Sequence, residues 1–257
     1  MSWPLAASAK CVCLAVSGAF LLSLSATPVN AQNTILVPGN YPTIQAAINA
    51  SNNGDSVLVG PGTYVENINF NGKAIIVNSS GGPAVTIIDG NHNGTVVRFN
   101  HSETAASVLS GFTIRNGYLD GGSGAGIAIT SASPTITSNV VTSNHAAAGL
   151  GIFVNGGLPL IQNNTITNND QMNAGDTGSG GGGILVYGGS SGVVQIIGNT
   201  ITNNNMQSGG QGRGISVAEE GRSCRAISSG AILFTTTEAE LPLTTYLPRL
   251  RSCKISS

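Results

Sequence analysis

Tyr118, His145, Asp170 and Asn205 open four connections of uneven length in a repeated text, and they share one register within it. Asp120 and Asp176 lie further along two of the same connections. An aromatic ring, an imidazole and three carboxylates along one shallow groove suit a sugar polymer. Aromatic faces stack on pyranose rings, and carboxylates accept hydroxyl hydrogen bonds or hold Ca²⁺ through oxygen, with Asp120 and Asp170 the metal candidates. Arg115 stands just before the first connection, and strand alternation would turn it outward. Beside Asp120 it would supply a base next to a metal ligand. Asp and Asn are also what turns select for backbone reasons alone, so a structural reading of each stands next to the ligand-binding one.

These residues are positioned by two alternating motifs. The first is GFTIRNG (111–117), SNVVTSN (138–144), NNTITNN (163–169) and GNTITNN (198–204). The second is GAGIAI (124–129), GLGIFV (149–154), GGGILV (181–186) and GRGISV (212–217). With Ile114, Val141, Ile166 and Ile201 as markers of the first and Ile127, Ile152, Ile184 and Ile215 of the second, the step from second to first is 14, 14 and 17 residues. The step from first to second is 13, 11, 18 and 14 residues, and these variable connections are 118–123, 145–148, 170–180 and 205–211. In a stacked-repeat protein, loops of uneven length on one side often form the binding face.

Each motif is a short β-branched run with period-two alternation, bounded by Asn, Gly, Ser or Pro. Such a run cannot bury its apolar face alone, but it can when stacked on a copy of itself about 4.8 Å away. A repeat of this length with short strands resembles the right-handed parallel β-helix of the pectin-lyase-like superfamily, over roughly residues 33–217. The expected fold is therefore an all-β, right-handed parallel β-helix solenoid of six or seven coils with an N-terminal capping helix. The earlier coils read as 55–60, 67–72, 74–79, 85–90, 95–100 and 107–114. The cap is placed at 42–55, with Thr43 as N-cap, Ile44, Ala47, Ile48 and Ser51 on one face, and Gly54 just past the end. Asn139, Asn164 and Asn199 share one repeat position, and Asn144, Asn169 and Asn204 another. The resemblance implies that these are hydrogen-bonded ladders at the corners, with Asn also tolerating the left-handed turn conformation.

The family's enzymes carry catalytic motifs that this chain lacks. Polygalacturonases have NTD, a paired DD, GHG and RIK, and pectin methylesterases have QDTL and a downstream Arg-Pro-Trp, whereas the single Trp here is Trp3. Pectate lyases set Arg and Lys beside an acidic Ca²⁺ cluster, yet residues 32–217 hold only Lys73, Arg98, Arg115 and Arg213 as basic residues. The expectation is a repeat protein that binds a polysaccharide or cell-surface glycan, or serves as an adhesion scaffold, without catalysis. The alternatives are a pectate-lyase-like enzyme and a structural repeat fragment with no activity.

Charged residues are 8% of the 257, and the net charge is −1, which offers nothing to a nucleic-acid backbone. Residues 1–31 read as a secretory signal peptide: Lys10, an apolar run over 12–24 too short to span a bilayer, and Val29-Asn30-Ala31 before the cut. The expected destination is secreted or cell-surface, as a monomer with no membrane span after cleavage. Cys224 and Cys253 would then be the remaining cysteines, allowing one disulfide. Residues 218–257 lack Asn and carry five of the ten basic residues, so they read as an atypical tail, either a cap or a frame-shifted end.

Overall fold

Short β-branched runs separated by Asn and Gly become strands only if something pairs both of their edges, and stacking supplies that on either side. The computed structural model describes residues 32–171, 181–187, 193–206, 214–218, 222–227, 231–236 and 251–252. The chain from Gln32 onward forms one unit, wound as a parallel β-helix with three sheets. The first sheet stacks Thr34–Val37, Ser56–Val59, Ile76–Ser79, Val108–Ser110, Thr135–Thr137, Leu160–Gln162 and Val193–Ile197, all parallel. The second stacks Ile68–Asn69, Val97–Phe99, Ile127–Thr130, Ile152–Asn155, Ile184–Tyr187 and Ile215–Ala218. The third stacks Gly62–Val65, Thr86–Asp89, Thr113–Arg115, Val140–Thr142, Thr165–Thr167 and Thr200–Thr202.

The sequence markers fall into register. Ile114, Val141, Ile166 and Ile201 are successive partners in the third sheet. Ile127, Ile152, Ile184 and Ile215 are successive partners in the second. Alternation sends these inward, where they join one continuous core with Val57, Val77, Leu109, Ile136 and Ile161 of the first sheet. Near the N-terminal end the core holds Phe70 against Phe99, ring centroids 4.3 Å apart. Among the described residues no helix is long and apolar enough to cross a membrane.

The first coil is covered by the helix Ile44–Ala50 (α1), whose Ile44, Ala47 and Ile48 are buried. Its ends are held largely by side chains from elsewhere in the stack. Thr43 accepts the Ala46 N–H at 3.2 Å, and the Glu66 carboxylate accepts the N–H groups of Ile44 and Gln45 at 2.8 and 2.9 Å. At the other end the Lys73 ammonium donates to the carbonyls of Ile48, Asn49 and Ser51, each at 2.7 Å. A carboxylate at the N-terminus and a cation at the C-terminus both oppose the helix dipole, which helps a helix this short to persist. Ser51 is the C-cap and Gly54, at φ +92°, lies three residues beyond it. The expectation that Gly54 directly ends the helix is therefore corrected: it shapes the following turn, which Asp55 closes by accepting the N–H groups of Asn52 and Asn33. Replacing Lys73 by Met keeps the stem and removes three donors, and it should cost about 1–2 kcal/mol of stability, read as a lower urea midpoint.

Past the last parallel strands, Ala231–Thr236 pairs antiparallel with Val193–Ile197, and Arg222–Ile227 pairs antiparallel with Ala231–Thr236. Arg251–Ser252 pairs antiparallel with Ser216–Val217. The edges of two sheets are thus met by strands from the tail. Residues 1–31 and Cys253 lie outside the described residues.

Candidate functional site

Each corner of the third sheet is turned by a pair of residues with different tasks. Ser138, Asn163 and Gly198 at one corner, and Ser143, Asn168 and Asn203 at the other, take left-handed φ values between 54° and 62°. The Asn that follows each of them enters the ladder. Along the first column, the Phe112 N–H donates to Asn139 Oδ1, the Asn139 N–H to Asn164 Oδ1 and the Asn164 N–H to Asn199 Oδ1, at 2.9–3.0 Å. Along the second, the N–H groups of Gly117, Asn144 and Asn169 donate to the Oδ1 atoms of Asn144, Asn169 and Asn204 at 2.9–3.2 Å. The left-handed residue is thus the one before the ladder Asn, not the ladder Asn itself.

Immediately after the second column the chain does not become loop. His145–Ala146 and Asp170–Gln171 form a two-stranded parallel sheet, and single bridges join Tyr118 to His145 and Asp170 to Asn205. The expectation that these residues are loop starts is corrected to a fourth, narrow row of extended backbone. Its inward residues Ala146 and Met206 pack with Ala125, Leu150 and Leu119 in a small apolar cluster of their own, and Gln171 is fully buried. That anchor leaves Tyr118, His145, Asp170 and Asn205 outward, spaced by about 4.8 Å per coil. Asn205 Nδ2 donates to Asp170 Oδ1 at 3.0 Å.

Two residues of the site were not anticipated, Gln171 and His92. His92 is exposed and folds over the head of the row, its ring 6.2 Å from that of Tyr118 at 81° and 6.3 Å from that of His145 at 37°. Its backbone is left-handed, φ 55°. It stands four residues after Ile88, as Tyr118, His145, Asp170 and Asn205 stand four after their own markers, and that offset would have found it. With Tyr118, His145, Asp170 and Gln171 it lines an open hollow of about 250 Å³.

Arg115 belongs to a different assembly. Its Nε donates to Asp89 Oδ2 at 2.8 Å, and Asp89 is its partner in the sheet register. Asn116 Nδ2 and the Asn91 N–H also donate to the Asp89 carboxylate, at 2.9–3.0 Å. The expected Arg115–Asp120 pair is therefore corrected to Arg115–Asp89, because Asp89 lies one coil back on the same outward row, whereas Asp120 sits on an exposed turn. Among the described residues no group of three or more His, Cys, Asp or Glu is gathered closely enough to hold a metal. Asp176 lies outside the described residues.

Burial alone would raise the Asp89 pKa, but the donors on Asn116, Asn91 and Arg115 outweigh it and hold the carboxyl below its usual range. A folded pKa below the unfolded one means stability that is present above the ordinary Asp pKa, near 3.9, and is lost as pH falls through the folded value. Asp55 is shifted the same way, chiefly by the Asn52 and Asn33 N–H groups. Asp89→Asn should lower stability at pH 7 by about 1–2 kcal/mol and flatten part of the acid limb below pH 4. A parallel displacement of the whole pH–stability curve would refute the ionic account.

The right handed beta helix region family matches residues 46–229, more than half of the chain. Neither the search of curated proteins nor that of solved structures returned a match. Parallel strands stacked in three sheets, inward Ile and Val columns and this family match agree, and the chain belongs to the right-handed β-helix family.

Proposed function

We propose that the protein is a β-helix repeat protein that binds a carbohydrate polymer along the row Tyr118, His145, Asp170 and Asn205, and that it does so without catalysis. The observation that carries this is the row itself: four outward side chains on rigid paired backbone, with His92 closing one end of the hollow. A repeated ligand suits a repeated surface, and the coil step is close to the length of one sugar unit in an extended chain. The Tyr118 ring and the His92 edge offer apolar faces for a pyranose, while Asp170, His145 and Asn205 offer hydrogen-bonding groups. The signal-like residues 1–31 support an extracellular or cell-surface setting, where such polymers are met. Arg115, the expected base, is held through Nε by Asp89 and does not line the hollow.

The test is affinity electrophoresis of the purified chain through gels containing soluble polysaccharides, paired with an ultraviolet assay for unsaturated uronide. At least one polymer should retard the protein, and Tyr118→Ala should weaken that retardation about tenfold while the circular dichroism stays β-type. Growth of uronide absorbance, or retardation indifferent to Tyr118, would overturn the proposal.

A further inference from the structure

We propose that the polymer is a neutral one, rich in free hydroxyls and without uronic acids; this rests on the binding reading above. Of the described residues lining the hollow, Asp170 is the one carboxylate, and no Lys or Arg is among them. A carboxylate accepts hydrogen bonds and donates none, so it selects hydroxyl-bearing ligands. Asn205 Nδ2 fixes Oδ1 of Asp170, which sets the carboxylate plane and leaves the second oxygen to a ligand hydroxyl. A uronate chain lying along the row would bring its own carboxylates within about one coil step of Asp170. Like charges at that range, beside a partly desolvated wall, disfavour the acidic ligand.

The cations that could offset this repulsion are mostly committed elsewhere. Lys73 donates to three carbonyls at the end of α1, and Arg115 is bound to Asp89. The remaining described basic residue of the repeats is Arg98. It points outward from Val97–Phe99, and its guanidinium lies beside Gly94, whose backbone bridges to Tyr118. Arg98 therefore flanks the head of the row without lining the hollow, and it is the residue through which an acidic chain would have to bind if the inference is wrong.

The experiment compares dissociation constants of the full chain for two panels by affinity electrophoresis. The neutral panel is β-glucan, galactomannan and xyloglucan, and the acidic panel is polygalacturonate and alginate. Each is run at low salt and at about 1 M NaCl, where screening acts within about 3 Å. The expected result is binding to a neutral polymer at least tenfold tighter than to either uronate, with little change in salt. Asp170→Asn, which keeps the acceptor for Asn205, should narrow that preference several-fold. Tighter, salt-sensitive binding of a uronate that is lost in Arg98→Ala would overturn the neutral class and leave the carbohydrate-binding reading standing. Silence on both panels from a chain with intact β-type circular dichroism would overturn the carbohydrate-binding reading itself, and with it this one.

Discussion

Asn169→Ala should lose about 2–3 kcal/mol of stability, the upper part of the usual 1–3 kcal/mol for a buried group left unpaired. Asn169 is fully buried and sits between two coils. Its Oδ1 accepts the N–H and the Nδ2 of Asn144, at 3.1 and 2.9 Å. Its Nδ2 donates to the Val141 carbonyl at 3.0 Å and to Asn204 Oδ1 at 2.8 Å. An alanine there leaves the buried Asn144 N–H without its acceptor and takes one partner from each of the others, although Asn144 Nδ2 still reaches the Ile114 and Thr142 carbonyls and Asn204 Oδ1 still accepts the Asn169 N–H. The neighbouring residue provides the control. Asn168 is exposed and left-handed, φ 54°, and Asn168→Gly should be tolerated, since glycine adopts that conformation freely. Urea unfolding of both variants decides the matter: similar midpoints would show that the ladder contributes little.

A second contrast lies in the repeated Gly-x-Gly of the second motif, whose two glycines are there for different reasons. The first, seen at Gly124 and Gly149, has φ of +80° and +52°. The second has no such angle and is short of space. A β-carbon on Gly151 would lie 2.7 Å from Ile166 Cγ2 and 2.8 Å from the carbonyl oxygen of Gly183 in the next coil. That carbonyl accepts the Ile152 N–H at 3.0 Å, so it cannot retreat without opening the sheet. Gly151→Ala should therefore cost about 2–3 kcal/mol. Gly214 occupies the same place in the last parallel coil, where a β-carbon would meet nothing within 4 Å. Gly214→Ala should change stability by no more than about 0.5 kcal/mol. Equal losses at the two sites would mean that the glycines serve the backbone angle and not the clearance between coils.

Much of this was readable before any coordinates. The period-two Ile and Val markers determined which strands stack, because a side chain that must be buried leaves no freedom of register. The row of Tyr118, His145, Asp170 and Asn205 followed from the same register. What was not readable came from two sources. In Asn163-Asn164 and Asn168-Asn169 the two residues are chemically identical, and only the corner's backbone decides which turns and which bonds. His92 and Asp89 were missed together, since both lie in the coil around Ile88, whose text VTIIDGNH has little of the later motif's Asn. Setting Ile88 against Ile114 would have placed Asp89 opposite Arg115 and His92 ahead of Tyr118. Gly54 was misjudged for a different reason: the Lys73 ammonium and Ser51 complete the helix end, so no glycine is needed there.

The ladders also have a direction. In every rung the Oδ1 atom receives from the coil before it, and the Nδ2 group gives back to a carbonyl of that earlier coil, as Asn199 does to Ile161 and Asn204 to Ile166. Each added coil therefore brings an amide that satisfies the open N–H of the coil before it. A duplicated stretch of some 25–35 residues, the spacing of the Val141, Ile166 and Ile201 markers, would arrive with its own amides and lengthen the rod by one turn. A duplication that did not bring the chain back to the same corner would break the column at its first rung. In such a chain, growth by whole turns is the variation that the hydrogen bonding tolerates.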